Sequence, residues 1–105
     1  MALSGNFVHH VFFWLNSPDS KEDLAALVAG LKKLASLELI KDYHIGVPAA
    51  TDRAVIDRSY AVSWLLAFAT AEDEASYQTA PEHLDFVKEC KSLWAKVVIY
   101  DSVQA

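Results

Sequence analysis

Phe7–Leu15, FVHHVFFWL, decides the fold: nine residues rich in aromatic and β-branched side chains that stop at the turn cluster Asn16-Ser17-Pro18-Asp19. The stretch reads as a strand. Side chains alternate along a strand, so His9, Val11, Phe13 and Leu15 point one way and Val8, His10, Phe12 and Trp14 the other. Both faces are largely apolar, which is unusual for a strand in a small sheet with one side open to water.

Working outward, Ser20-Lys-Glu-Asp opens like a capping box, and Leu24, Leu27, Val28, Leu31 and Leu34 then recur at helical spacing, predicting a helix that ends near Ser36. Tyr43 to Val47 predicts a short strand closed by Pro48, and Ala49 to Ser59 a polar connector. Tyr60 to Phe68, YAVSWLLAF, predicts a third strand with apolar residues on both faces. Thr70-Ala-Glu-Asp opens a short helix to about Gln78. A second box, Thr79-Ala-Pro-Glu, places Thr79 as the N-cap of a further helix running to about Trp94. Lys96 to Val103 closes the chain as a β-branched strand. The order βαββαβ, with its second helix broken in two, predicts an α+β, ferredoxin-like domain in which a four-stranded antiparallel sheet carries its helices on one face.

Two helices cover one face of such a sheet, while strands one, three and four are apolar on both. A second copy of the chain is the simplest cover, so a homodimer joined through sheet faces is expected. The 105-residue length fits one domain, spanning 1–105, near the size at which oligomerisation becomes a useful source of stability. A hydrophobic fraction of 53% points the same way.

Nine basic residues are scattered among fourteen acids, for a net charge of −5, which argues against nucleic acid and anionic membranes. No apolar run reaches the roughly 18 to 20 residues of a membrane span. With a single cysteine, Cys90, and no secretory signal at the start, a cytoplasmic setting is the default expectation. Paired metal-ligand spacings are missing and the three glycines build no phosphate loop, so neither a metal nor a cofactor is expected. Cys90 reads as an inert buried thiol.

Tyr77-Gln-Thr-Ala-Pro-Glu-His83 is the segment most able to carry chemistry. His83 falls in the middle of the apolar stripe of Phe86, Val87, Cys90 and Trp94, facing inward. There, burial and the positive end of a helix dipole both favour the neutral imidazole, which suits a general base. The break before Pro81 lets Tyr77 turn toward it, and a hydroxyl within about 2.6 to 3.2 Å would fix the tautomer. The bland alternative is a core histidine satisfied by a backbone carbonyl or a tyrosine hydroxyl. His9 and His10 project to opposite faces and cannot share a metal; one of them is expected to line a cavity.

Val8-His9-His10-Val11-Phe12-Phe13, Tyr43-His44-Ile45-Gly46, Tyr77 to His83 and the closing Tyr100-Asp101 together make the chain resemble the stress-responsive dimeric A/B barrel (Dabb) family over nearly its whole length. The resemblance implies a dimeric α/β barrel and, through plant polyketide cyclases similar to olivetolic acid cyclase, an acid/base role for His83, a supporting hydroxyl at Tyr77 and a ligand-lining place for His9. A further cavity histidine of those cyclases falls at Val62, a departure from their pattern. Val62, Phe86 and Trp94 join His9 as expected ligand-lining residues. Two functions stay open: a dimeric protein that binds a small apolar ligand without chemistry, and a cofactor-free acid/base enzyme, a cyclase, isomerase or lyase, using His83 and Tyr77.

Overall fold

The computed structural model describes residues 3 and 5–105. Its elements run β1 (Phe7–Leu15), α1 (Lys21–Leu34), β2 (Asp42–Gly46), β3 (Val62–Phe68), α2 (Ala71–Thr79), α3 (Pro81–Cys90), a 3₁₀ turn (Lys91–Leu93) and β4 (Trp94–Val103). All pairings are antiparallel in the order β2-β3-β1-β4, so β1 lies in the interior of the sheet. Its neighbours are set by register: His9 stands opposite Leu66 on β3 and Asp101 on β4, and Phe13 opposite Val62 and Val97.

Local chemistry sets the helix starts. The Ser20 hydroxyl accepts from the Asp23 amide at 3.1 Å, and Thr70 does the same for Asp73 at 3.1 Å. Thr79 does not cap α3. It ends α2, where its hydroxyl donates to the Ser76 carbonyl, and Ala80 takes the N-cap with no side-chain bond. Pro81 therefore sits at the very start of α3, where its missing N–H costs nothing. The last helix also stops earlier than the apolar spacing predicts: Trp94 has left the helix and opens β4.

The helices bury one sheet face. Val11, Phe13 and Leu15 of β1 and Val62, Trp64, Leu66 and Phe68 of β3 pack against Leu27, Leu31 and Leu34 of α1 and Phe86 of α3. Close approach of α1 to α3 depends on Gly30, because a Cβ there would lie 2.8 Å from the Cys90 sulfur. Cys90 thus faces α1, and burial pushes its thiol pKa up. Across the sheet, Val8, His10, Phe12, Trp14, Leu65 and Val98 are only half-buried and Tyr100 is 64% exposed. This open face is less uniformly apolar than strand alternation implies, since His10 Nε2 bonds the Ser63 hydroxyl at 2.7 Å.

Candidate functional site

A cavity of about 250 Å³ opens between the helix-covered sheet face and the α2–α3 break. Val11, Phe13, Trp64, Phe86, Val87, Trp94, Val97 and Ile99 supply apolar walls, and His9, Tyr77, Gln78 and His83 the polar groups. Strand parity places these residues together: His9, Val11 and Phe13 share one face of β1, and Val97 and Ile99 meet them from β4 in register. The α2–α3 break then brings Tyr77, at the end of one helix, beside His83, in the first turn of the next. Their rings meet edge to face with centroids 4.7 Å apart.

Tyr77 is 2% exposed. Its hydroxyl accepts from the Trp64 indole N–H at 3.3 Å, not from or to His83. The expected tyrosine–imidazole hydrogen bond is therefore not formed: Trp64 is itself almost wholly buried, and its N–H needs an acceptor. Burial pushes the Tyr77 pKa up to about 12, against the opposing pull of the Trp64 bond, so the phenol is neutral at physiological pH.

His83 is half-buried and its Nδ1, fully shielded from solvent, has no hydrogen-bond partner among the described residues. Burial pulls its pKa below the ordinary 6.5, with the Gln78 backbone acting in the opposite sense. A neutral imidazole with one unsatisfied nitrogen can accept or donate a single hydrogen bond to a ligand, or take a proton from it.

His9, not His10, lines this cavity; His10 lies on the open face. His9 is 4% exposed, and its Nδ1 meets an Asp101 carboxylate oxygen at 2.5 Å, with a Glu74 oxygen farther off at 3.9 Å. Glu74 is held in turn by the Gln78 amide at 2.7 Å. His9 and Tyr77 also pack edge to face at 6.1 Å, so Tyr77 stands between the two imidazoles.

Among the expected ligand-lining residues, His9, Phe86 and Trp94 border the cavity and Val62 does not. Val62 is wholly buried in the core beside Phe13, at the end of β3 away from His9. Trp94 reaches the cavity from β4, stacked against Phe13 and Phe86 at 5.0 and 5.8 Å, and not from the helix. Sequence reasoning missed Trp64, Gln78 and Asp101. Asp101 carried a usable signal, because it shares strand parity with Val97 and Ile99 and is an acid on a face that is otherwise apolar. Among the described residues, no group of three or more His, Cys, Asp or Glu is arranged to hold a metal ion, and no helix is long and apolar enough to cross a membrane.

The sequence profile of the stress responsive A/B barrel domain, Dabb, matches residues 7–104. No curated protein matches the chain significantly. Solved structures share its fold. A Dabb family protein with a ferredoxin-like fold from Mesorhizobium loti is 23% identical, with 97% of this chain and 99% of that one covered at a TM-score of 0.77. The hydroxynitrile lyase of Passiflora edulis is 21% identical over 96% and 94% of the two chains, with a TM-score of 0.78. A dimeric ferredoxin-like protein of unknown function from Thermobifida fusca is 18% identical over 99% and 96%, with a TM-score of 0.75. The chain belongs to the Dabb family.

Proposed function

We propose that this Dabb domain is a homodimeric small-molecule-binding protein whose cavity between sheet and broken helix takes a small, mostly apolar ligand. One observation carries the reading: His83, whose buried Nδ1 has no partner among the described residues, borders a largely apolar cavity. A buried polar nitrogen without a partner costs roughly 1 to 3 kcal/mol, and a ligand with one complementary polar group removes that cost. At about 250 Å³ the cavity lies below the roughly 300 to 1,000 Å³ of drug-sized sites, so the ligand is small.

Pairing through the open sheet faces is supported by the apolar residues that no helix covers and by the dimeric Thermobifida fusca protein of the same fold. Such an interface should bury at least roughly 1,200 Å² in total. The family's name supports a link to stress, and the single buried cysteine is compatible with a reducing compartment such as the cytoplasm.

A second reading, acid/base chemistry on a carbonyl compound, is favoured by the neutral state of His83, the form a general base requires. In that reading His83 moves the proton. Tyr77, committed to Trp64, forms the wall against which the imidazole is held.

A thermal-shift screen of small apolar alcohols and carbonyl compounds tests the binding reading. The chain should be stabilised by some of them, and His83→Ala should lose that stabilisation while staying folded. A screen without any stabilising compound, or ligands that bind equally well to His83→Ala, would overturn it. Turnover of a bound carbonyl compound that disappears in His83→Ala would establish the second reading.

A further inference from the structure

We infer that pairing through the open sheet face is switched by acid: His10 and His44 converge on Ser63 near the middle of that face, and two copies pair only while His10 is neutral. The inference rests on the reading that copies pair through this face, and adds what regulates the pairing.

Antiparallel register brings the two imidazoles together from strands that are not neighbours. His10 on β1 and His44 on β2 both stand opposite Leu65 of β3, so both share its face of the sheet. His10 Nε2 meets the Ser63 hydroxyl at 2.7 Å. The His44 ring folds back over Gly46, the register partner of Ser63: a Cβ at Gly46 would lie 2.9 Å from His44 Cε1 and 4.0 Å from Ser63 Cβ.

The charged form of His10 finds little on this face to hold it. Among the described residues, the carboxylates that meet a histidine, Asp101 and Glu74, meet His9 on the other face. The strands beside His10 present Ser63 and Leu65 from β3 and the Tyr100 phenol from β4, while the imidazoles of His44 and His9 both oppose its protonation. Asp42 shares the face of His44 but accepts from the Tyr43 amide, and Asp57 and Lys96 lie at the Trp14 end, with Lys96 Nζ 4.6 Å from the indole centroid. The Phe12 ring, 4.3 Å from that of His10, is a weaker partner for a cation than the water that reaches this face in a single copy.

Burial, then His44, then His9 already hold the His10 pKa below the ordinary 6.5. A second copy related by a two-fold axis removes the remaining water and brings its own two imidazoles over the same patch, which lowers the value further. Separated chains therefore bind protons more readily than the dimer. Affinity is full above about pH 6.5 and falls as pH drops below it, by up to about 100-fold per pH unit below the single-copy pKa, since each copy carries one such group.

Sedimentation velocity of the whole protein at micromolar concentration, with circular dichroism to follow the fold, tests this. The dimer Kd should be at least about tenfold weaker near pH 5 than near pH 7.5, with the separated chains still folded. In His10→Gln, which keeps a donor and an acceptor for Ser63 but does not titrate, that ratio should shrink to below about threefold. A wild-type Kd that stays constant while the chain is folded, or an equal pH dependence in His10→Gln, would overturn the inference and leave the dimer standing. A wild-type monomer near pH 7.5 would overturn the pairing reading as well. Dilution calorimetry of the wild type near pH 6, in two buffers of different ionisation enthalpy, gives a readout that needs neither the variant nor survival in acid: dissociation should take up protons, and heats independent of the buffer would overturn the switch.

Discussion

Trp64 is 1% exposed, so its indole N–H has to find an acceptor inside the protein, and the Tyr77 hydroxyl is the one it finds. Tyr77→Phe removes that acceptor and orphans a buried donor. It should cost about 1 to 3 kcal/mol, read as a lower urea midpoint with an unchanged slope. His83 has the opposite balance. Its buried Nδ1 serves no protein group, so His83→Phe, nearly isosteric and apolar, should raise stability by about 1 kcal/mol while weakening binding of any ligand that uses the imidazole. Stability and pH are linked through the same ring. Because burial lowers its pKa in the folded state, the unfolded chain binds more protons, and stability falls as pH drops from 6.5 toward the folded value. Urea midpoints measured between about pH 8 and pH 5 should therefore decline more steeply in the wild type than in His83→Phe. Equal slopes would mean that His83 is not held neutral by its surroundings.

The α2–α3 break is the element that builds the site. Had the chain continued as one straight helix, Tyr77 and His83, six residues apart, would project about 120° apart; the break turns them into edge-to-face contact. That geometry uses Ala80 in an extended conformation, closing α2 and opening α3 without a side-chain cap. An aspartate at this position would supply both a cap and a charge suited to the helix dipole. Ala80→Asp should stabilise the fold by about 1 kcal/mol in urea denaturation and leave the cavity unchanged. No gain would indicate that the backbone at Ala80 cannot present its side chain to the first turn of α3. Thr79, three residues before Glu82, the first free amide of α3, was the sequence's apparent cap. Its hydroxyl is instead spent inside α2, because the break comes one residue later than the capping pattern implies.

At the scale of the whole molecule, the open sheet face explains why so small a chain carries so much apolar surface. Leu65 lies in the middle of that face, opposite His10 on β1 and His44 on β2. Leu65→Glu should place a charge in the centre of the proposed interface without disturbing the helix-covered core. Light scattering at micromolar concentration should show a dimer for the wild type and a folded monomer for the variant; a wild-type monomer would sink the pairing. His10 joins this face to pH, since burial and then the neighbouring charges of His44 and His9 lower its pKa. Its neutral state is the one compatible with a covered face.

The order of elements and the alternation in β1 and β3 were legible in the sequence, because they depend on periodicity and cap chemistry within a few residues; the open face proved less uniformly apolar than that alternation implies, since His10 and Ser63 pair on it. So was the placing of His83 on the inner face of its helix. His9 against His10 was not decidable locally: both faces of β1 are apolar, and only the side on which the helices pack separates the cavity from the open face. The same holds for Val62, which has the right parity but sits at the wrong end of β3, and for Tyr77, whose hydroxyl is claimed by an indole thirteen residues earlier in the chain. The His9–Asp101 pair joins residues 92 positions apart through antiparallel register. Alternation tells which face a side chain takes; which distant partner it meets there follows from strand pairing and helix packing, and those exist only in the folded chain.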